Sequence, residues 1–333
     1  MAAVAVAGPV DLAGSLDVLR RAGDDLLDRW DGRVWLRTVP LDGRVVGAAA
    51  RPAGSAADPP AAVPAGTGDG AADPVLLVAA EAGADPAAAG RVLAGAFPTA
   101  PEALAELTAA DPVVGRIAAR FPGIGPVLQP DLLTAVVRAI SAQQITLRFA
   151  ATLRGRLARR YGDRHEVPVP DPGPGDPATA EVWSLDARRL AAAAVADLRA
   201  LQLSTAKATA IVAFAGAVAS GRVDLGELAG LEDEEVVARL VAFPGIGRWT
   251  AEWLLARTLG RPRVVAGDLG VRKAVGAAYL DGAMPSEAQV RAATAHWGPA
   301  AGVAQQLLLH WLSAEATRSP RAATRPGRSS PRG

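Results

Sequence analysis

The stretch from Leu240 to Ala251, LVAFPGIGRWTA, constrains the fold of this chain more than any other. The runs on either side of it have helical periodicity, and Pro244 with Gly245 and Gly247 allows only a tight reversal between them. The spacing predicts a helix–turn–helix hairpin over about residues 233–258, its second helix starting by Arg248. Such a turn suits an anion. Its glycines let a ligand approach the backbone, and the first turn of the second helix offers unpaired N–H groups at the positive end of its dipole. A phosphate held there is gripped without its base being read. Ile246 is the apolar pin that packs the turn between the helices. An ordinary helix connection with a glycine cap meets the same description, so the loop alone assigns no function.

The same pentapeptide, FPGIG, recurs at 121–125. Pro126 and Pro130 follow it, so no helix can start at the corresponding place, and this copy reads as a loop rather than as half of an internal repeat. Upstream, residues 15–31 read as an amphipathic helix running into a turn, VWLRTV (34–39) and RVVGAA (44–49) as strands joined by an Asp42-Gly43 hairpin turn, VLLVAA (75–80) as a third strand, and PAAAGRVLAGAF (86–97) as a helix. Residues 1–100 thus read as a small α/β domain, interrupted by a Pro/Gly/Ala/Asp-rich insertion at 51–74 that is expected to be flexible. From 101 to 315 the pattern is helical, broken by a Pro/Gly loop at 166–179. Residues 316–333 carry five arginines and no acid, and read as a disordered basic tail.

Composition narrows the chemistry. There is no cysteine, which removes disulfides, thiol nucleophiles and cysteine-bound iron–sulfur clusters. Only Lys207 and Lys273 stand beside 33 arginines, so amine chemistry has two candidates and any basic surface is an arginine surface. Residues 116–160 carry eight arginines and one acid, and residues 243–273 carry six basic residues and two acids. Such runs are commonly solvated helix faces, but two of them flanking one hairpin favour a nucleic acid partner despite a net charge of only +1. His165, His296 and His310 do not cluster, so no transition-metal site is expected. No signal sequence or membrane span is read, and a cytoplasmic protein is expected.

One more residue completes the pattern. Asp268 follows Trp249 by nineteen residues, immediately before the helix-forming LGVRKAV. By position alone it is a favoured helix N-cap. FPGIGRWTA (243–251) followed by GDLGVRKA (267–274) resembles the helix-hairpin-helix (HhH-GPD) DNA glycosylase superfamily, and within it the AlkA-type 3-methyladenine DNA glycosylases. LLTAVVRAISAQQITLRFAATLRGRLARRYG (132–162) and WDGRVWLRTVPLDGRVV (30–46) resemble other parts of the same subgroup, so the likeness spans most of residues 12–315.

The resemblance implies an α+β architecture: a small TBP-like N-terminal α/β domain, then a mostly helical core of two subdomains. It implies that Asp268 is the catalytic carboxylate, stabilising oxocarbenium character at the sugar and orienting water. Trp249 occupies the point where bifunctional members carry a lysine, and neither Lys207 nor Lys273 falls there, so the resemblance implies hydrolysis without a lyase step. Trp249 and Trp253 are four apart on one helix and correspond to base-pocket aromatics. Gln144 corresponds to the side chain that fills the gap left by a flipped base, and Gln143 supports its loop. Gly245, Ile246, Gly247, Arg248 and Thr250 correspond to the phosphate grip, with a monovalent cation held by the carbonyls of Val241, Phe243 and Ile246. The chain departs from the family at Ala300, where a further pocket tryptophan is expected.

The implied partner is duplex DNA with alkylated purines, bound by a monomer at the nucleoid with no membrane and no iron–sulfur cluster. Rival readings are a glycosylase for a deaminated or oxidised base, and a non-catalytic DNA-binding hairpin protein.

Overall fold

A computed structural model describes residues 1–54 and 73–318 of the chain. The insertion read at 51–74 lies mostly outside the described residues, as does the tail beyond 318.

The N-terminal part runs β1 (Ala2–Ala5), α1 (Leu12–Ala22), β2 (Asp28–Trp30), β3 (Trp35–Leu41), β4 (Arg44–Pro52), β5 (Val75–Ala80) and α2 (Pro86–Ala94). The strands form one antiparallel sheet in the order β1-β5-β4-β3-β2. At the β3–β4 turn both Asp42 (φ 50°) and Gly43 (φ 76°) are left-handed, the geometry that matches the twist of a two-residue hairpin. Alternation along β3 sends Trp35 and Val39 to one face, where they pack with Leu16 and Leu19 of α1 and Leu93 of α2.

Two expectations are corrected in this part. The helix read over 15–31 ends at Ala22, because Gly23 takes φ 96° and turns the chain into β2. Leu26, Leu27 and Trp30 imitate helical spacing, but Asp25 among them is a buried counter-charge, as described below. The N-terminal residues Ala2–Ala5, assigned to no element by periodicity, add an edge strand to β5.

The rest runs α3 (Pro101–Ala110), α4 (Pro112–Arg120), α5 (Leu132–Ala142), α6 (Leu147–Tyr161), β6 (Gly162–Pro168), β7 (Thr179–Leu185), α7 (Ala187–Ala191), α8 (Val195–Ala200), α9 (Thr205–Ala219), α10 (Leu225–Ala229), α11 (Asp233–Val241), α12 (Arg248–Arg257), α13 (Leu269–Tyr279), α14 (Glu287–Thr294), a 3-10 turn (Ala295–Ala300) and α15 (Ala301–Arg318). The α+β architecture is therefore as the resemblance implies. The loop read at 166–179 is shorter than that: its two ends belong to strands that sequence periodicity missed, β6 through Pro168 and β7 from Thr179. Gly162-Asp-Arg-His-Glu-Val-Pro168 has no apolar alternation, and only Val167 of β6 and Val182 of β7 are buried hydrophobics. This β6–β7 hairpin is held by docking on the outer face of the N-terminal sheet, against Val34, Leu36 and Ala49. Gly47 permits the contact, since a Cβ there would meet Val167 at 2.6 Å and His165 at 2.7 Å.

The helices build two cores. One, from α5 to α12, centres on Val136, Ile140, Ile211, Phe214 and Leu254. The other joins α3 and α4 to α13–α15 through Ile117, Val275, Trp297 and Leu307. The chain thus starts the second core, builds the first, and returns. The FPGIG copy at 121–125 lies at the first crossing and forms no helix hairpin. Gly123 (φ 77°) accepts the Asp11 amide at 2.8 Å, the Gly125 amide donates to Ser15 Oγ at 3.0 Å, and Ile124 is buried, so this copy grips the start of α1.

Ion pairs lock the N-terminal part to the helices. Asp25 is buried, accepts a hydrogen bond from Arg154 Nε at 2.7 Å and forms an ion pair with Arg138, whose Nη2 lies 2.8 Å away. Burial pushes its carboxyl up, but the two guanidinium groups outweigh this and hold it below the usual aspartate value. No helix among the described residues is long and apolar enough to cross a membrane.

Candidate active site

The predicted hairpin forms as α11, a turn at residues 242–247, and α12. A capping box between Glu232 and Glu235 starts α11. In the turn, the Phe243 amide donates to the Leu240 carbonyl and the Ile246 amide to the Phe243 carbonyl. Gly245 sits at φ 76°, and a Cβ there would meet the Ala210 Cβ at 2.7 Å, so both conformation and space demand glycine. Ile246 is buried in the α5–α12 core. Gly247 caps α12 in an extended conformation, φ −89° and ψ 175°, with no side chain on the amides of the first turn. The amides of Arg248, Trp249 and Thr250 therefore lack a protein acceptor among the described residues.

The Arg248 side chain does not extend toward a ligand. Its guanidinium pairs with Glu234 at 2.8 Å and Glu252 at 3.1 Å, so its backbone amide is what the turn presents. Glu252 is 1% exposed and also accepts Arg263 at 3.2 Å and Arg291 at 3.0 Å. This buried carboxylate fastens α12 to α14 and to the 258–267 connection. Sequence reading passed over it, because a lone acid on a helix carries no signal until its partners are placed.

A cleft of about 1350 Å³ opens where the two helical cores meet α1. Gly247, Trp249 and Thr250 line it from the hairpin, Asp268 and Lys273 from α13 and its cap, Gln143 and Gln144 from the α5–α6 loop, and Val18 and Arg21 from α1. Asp268 caps α13 by accepting the Val271 amide at 3.0 Å and at the same time faces the cleft, so the capping and cleft positions coincide. Its neighbours leave little room. A Cβ at Gly270 would lie 3.0 Å from Asp268 Oδ1, and one at Gly267 would lie 3.3 Å from the Trp249 ring. Trp249 is thus packed against the residue next to Asp268. Its indole N–H is buried with no acceptor among the described residues.

Trp253 does not join it. Although one turn further along α12, it packs half-buried against the α5–α12 core and lies outside the cleft. Trp249 in the first turn of α12 borders the cleft, while Trp253 packs against the core. Arg257 does reach the cleft, donating to Gln306 Oε1 at 2.6 Å. Burial pushes its guanidinium down to about 10, against the opposing field of Asp268, so it stays charged at neutral pH. Arg257 and Gln306 were not singled out from the sequence, where each is one more polar residue on a helix. Ala300 is fully buried in the α13–α15 core rather than at the cleft.

Gln143 is half-buried and its Nε2 donates to the Gly245 carbonyl at 3.1 Å, tying the α5–α6 loop to the hairpin. Gln144 is exposed, with φ 59°. The Val241 and Ile246 carbonyls accept from no described residue, whereas that of Phe243 is occupied by the Ile246 amide. The three histidines lie apart: His165 bonds Glu81 and Ser184, His296 bonds Asp111, and His310 meets Phe121 edge to face. No group of three metal-ligating side chains occurs among the described residues.

Residues 137–300 match the HhH-GPD superfamily of base excision DNA repair proteins. These residues form an HhH-GPD domain. Two curated relatives are DNA-3-methyladenine glycosylase 2 of Escherichia coli, 30% identical over 49% of this chain and 57% of that protein, and a DNA-3-methyladenine glycosylase of Bacillus subtilis, 28% identical over 47% and 49%. The chain spans 40–61% of the length of the curated relatives it matches. Among solved structures, a 3-methyladenine DNA glycosylase from Archaeoglobus fulgidus superimposes with a TM-score of 0.73 at 25% identity, covering 96% of this chain and 99% of that one. The glycosylase resemblance read from the sequence is borne out, and the HhH-GPD domain contains the hairpin, Trp249 and Asp268.

Proposed function

We propose that this chain excises alkylated purines such as 3-methyladenine and 7-methylguanine from duplex DNA, by flipping the base and hydrolysing its glycosidic bond. The observation that carries the reading is the placement of a single carboxylate, Asp268, on the cleft wall beside Trp249 and one step from the amide-rich turn of the hairpin. The free amides of α12 and the close backbone at Gly247 hold a DNA phosphate. The Val241 and Ile246 carbonyls suit a monovalent cation at the same edge, which would add positive charge toward that phosphate. Gln144 enters the stack as the nucleotide leaves it.

As the bond between the base nitrogen and C1′ breaks, its electron pair leaves with the base. The sugar becomes cationic and the Asp268 carboxylate stabilises it. Water adds to C1′ and gives its proton to Asp268 or solvent, leaving an abasic site. An N-alkylated purine already carries positive charge and leaves without an added acid. Trp249 offers it an aromatic face, an attraction of about 0.5–2 kcal/mol.

A second reading has its own observation. Lys273 is exposed in the same cleft as Asp268, so an amine is within the site although not at Trp249. The two readings separate on methylated duplex DNA treated with borohydride. Hydrolysis gives free alkylpurine, intact abasic strands and no covalent adduct. Adduct formation and strand cleavage that vanish in Lys273→Ala establish the lyase instead.

A further inference from the structure

Neither the hairpin nor the carboxylate accounts for Lys207, one of the two lysines in the chain. It stands in the first turn of α9 and reaches to the C-terminal end of α5. Its ammonium donates to the Ser141 carbonyl at 2.9 Å and to the Gln143 carbonyl at 2.7 Å. No carboxylate among the described residues pairs with it, and burial pushes its ammonium below the usual lysine value. A cation that gives up water to hold main-chain carbonyls at a helix C-terminus stabilises the path the chain takes beyond that helix.

That path is short and constrained. Gln143, whose carbonyl Lys207 holds, uses its own side chain to bond Gly245 in the hairpin turn. The next residue, Gln144, is exposed at the cleft and left-handed at φ 59°, a conformation that persists in an L-residue only when its surroundings impose it. From the opposite side Arg154 Nη1 reaches Ser141 Oγ at 3.1 Å. Three elements, α9, the α5–α6 loop and the hairpin, are thus fastened at one point, and the strained residue follows directly.

We propose that Lys207 is a positioning residue for base extrusion. By holding the Ser141 and Gln143 carbonyls it fixes Gln144 in its left-handed conformation at the mouth of the cleft, in register with the hairpin turn. Entry of Gln144 into the stack and the grip on the phosphate then occur on one rigid unit. The ammonium acts through the loop and touches neither base nor sugar. The proposal rests on the glycosylase reading above.

The test uses the full chain as Lys207→Met and Lys207→Arg. Four quantities are measured: single-turnover base release from methylated duplex, emission of a 2-aminopurine placed beside an abasic-site analogue, amide exchange over residues 142–147, and affinity for undamaged duplex. Lys207→Met is expected to slow base release by about ten- to a hundred-fold, the effect of a small misplacement in a pre-organised site. It should also reduce the 2-aminopurine emission and raise amide exchange, with undamaged-duplex affinity and melting temperature unchanged. Lys207→Arg should restore most of each. Unchanged release and emission in Lys207→Met overturn the proposal. So does a loss of release matched by equal losses of duplex affinity or folded fraction, because that marks a merely structural role. If the unmodified chain releases no base, the glycosylase reading fails; emission and exchange then decide the proposal, and it is overturned unless both change.

Discussion

Two glycines in the hairpin have the same sequence context and opposite structural demands. Gly245 is left-handed and would bring a Cβ within 2.7 Å of Ala210, whereas Gly247 is extended with nothing within 4 Å. Gly245→Ala should therefore destabilise the fold by about 1–3 kcal/mol. Gly247→Ala should melt like the unmodified chain yet bind duplex DNA more weakly, because its methyl would stand where the proposed function brings a phosphate. Calorimetry beside a DNA titration distinguishes them, and equal stability losses in both would remove the reason for glycine at 247. His310 makes a second test at this scale. Burial first, and Arg21 second, hold its imidazole below the ordinary value of 6.5. The unfolded chain then takes up the proton first as pH falls. The contribution of His310 is complete above 6.5 and is lost as pH drops through the folded value. Denaturant midpoints should fall from pH 7 to pH 5, and His310→Gln should flatten that slope. At this scale the sequence was legible wherever a residue type is tied to a backbone conformation or a cap, as at Gly245 and Asp268. It was not legible at Trp253, Arg257 or Glu252, whose surroundings are assembled from distant segments.

Among the elements, the α11–α12 hairpin and the β3–β4 turn were readable because proline, glycine and aspartate set their reversals locally. The β6–β7 hairpin was not, since its strands are polar and are held by the sheet they cover. The 15–31 segment misled for a related reason: apolar spacing continues past Gly23, but buried Asp25 and the left-handed Leu26 serve contacts elsewhere. The hairpin itself hangs on Glu252, which gathers Arg248, Arg263 and Arg291. Glu252→Ala removes the buried acceptor shared by Arg248, Arg263 and Arg291, but Arg263 keeps Asp233 and Glu234 and the other two can turn to solvent, so the cost should be about 1–3 kcal/mol. Urea unfolding measures the loss, and a change under 1 kcal/mol would mean that the cluster does not anchor α12.

Across the whole molecule, the two basic segments did not become a simple positive surface. Arg138 and Arg154 are consumed by Asp25, Arg120 by Glu315, and Arg248, Arg261 and Arg263 by Asp233, Glu234 and Glu252. Much of the arginine excess joins elements to one another, so on the proposed function DNA contact would rest on backbone amides and the cleft rim more than the sequence suggested. The Asp25 cluster joins the N-terminal part to the helices. Asp25→Ala leaves buried Arg154 without its carboxylate and should cost about 3–5 kcal/mol. Calorimetry of the unmodified chain should give one transition, and two separate transitions would show that the cluster does not couple the parts. Because Asp25 is held below 3.8, its contribution is present above that pH and is lost as pH falls through the folded value. The central claim concerns one carboxylate in one cleft, and Asp268→Asn on methylated duplex DNA tests it most directly. The amide keeps the size of the side chain and removes the charge that the proposed function sets against C1′. Single-turnover release of alkylpurine should fall by about a hundred-fold or more while duplex affinity is retained; release at the unmodified rate would contradict the account.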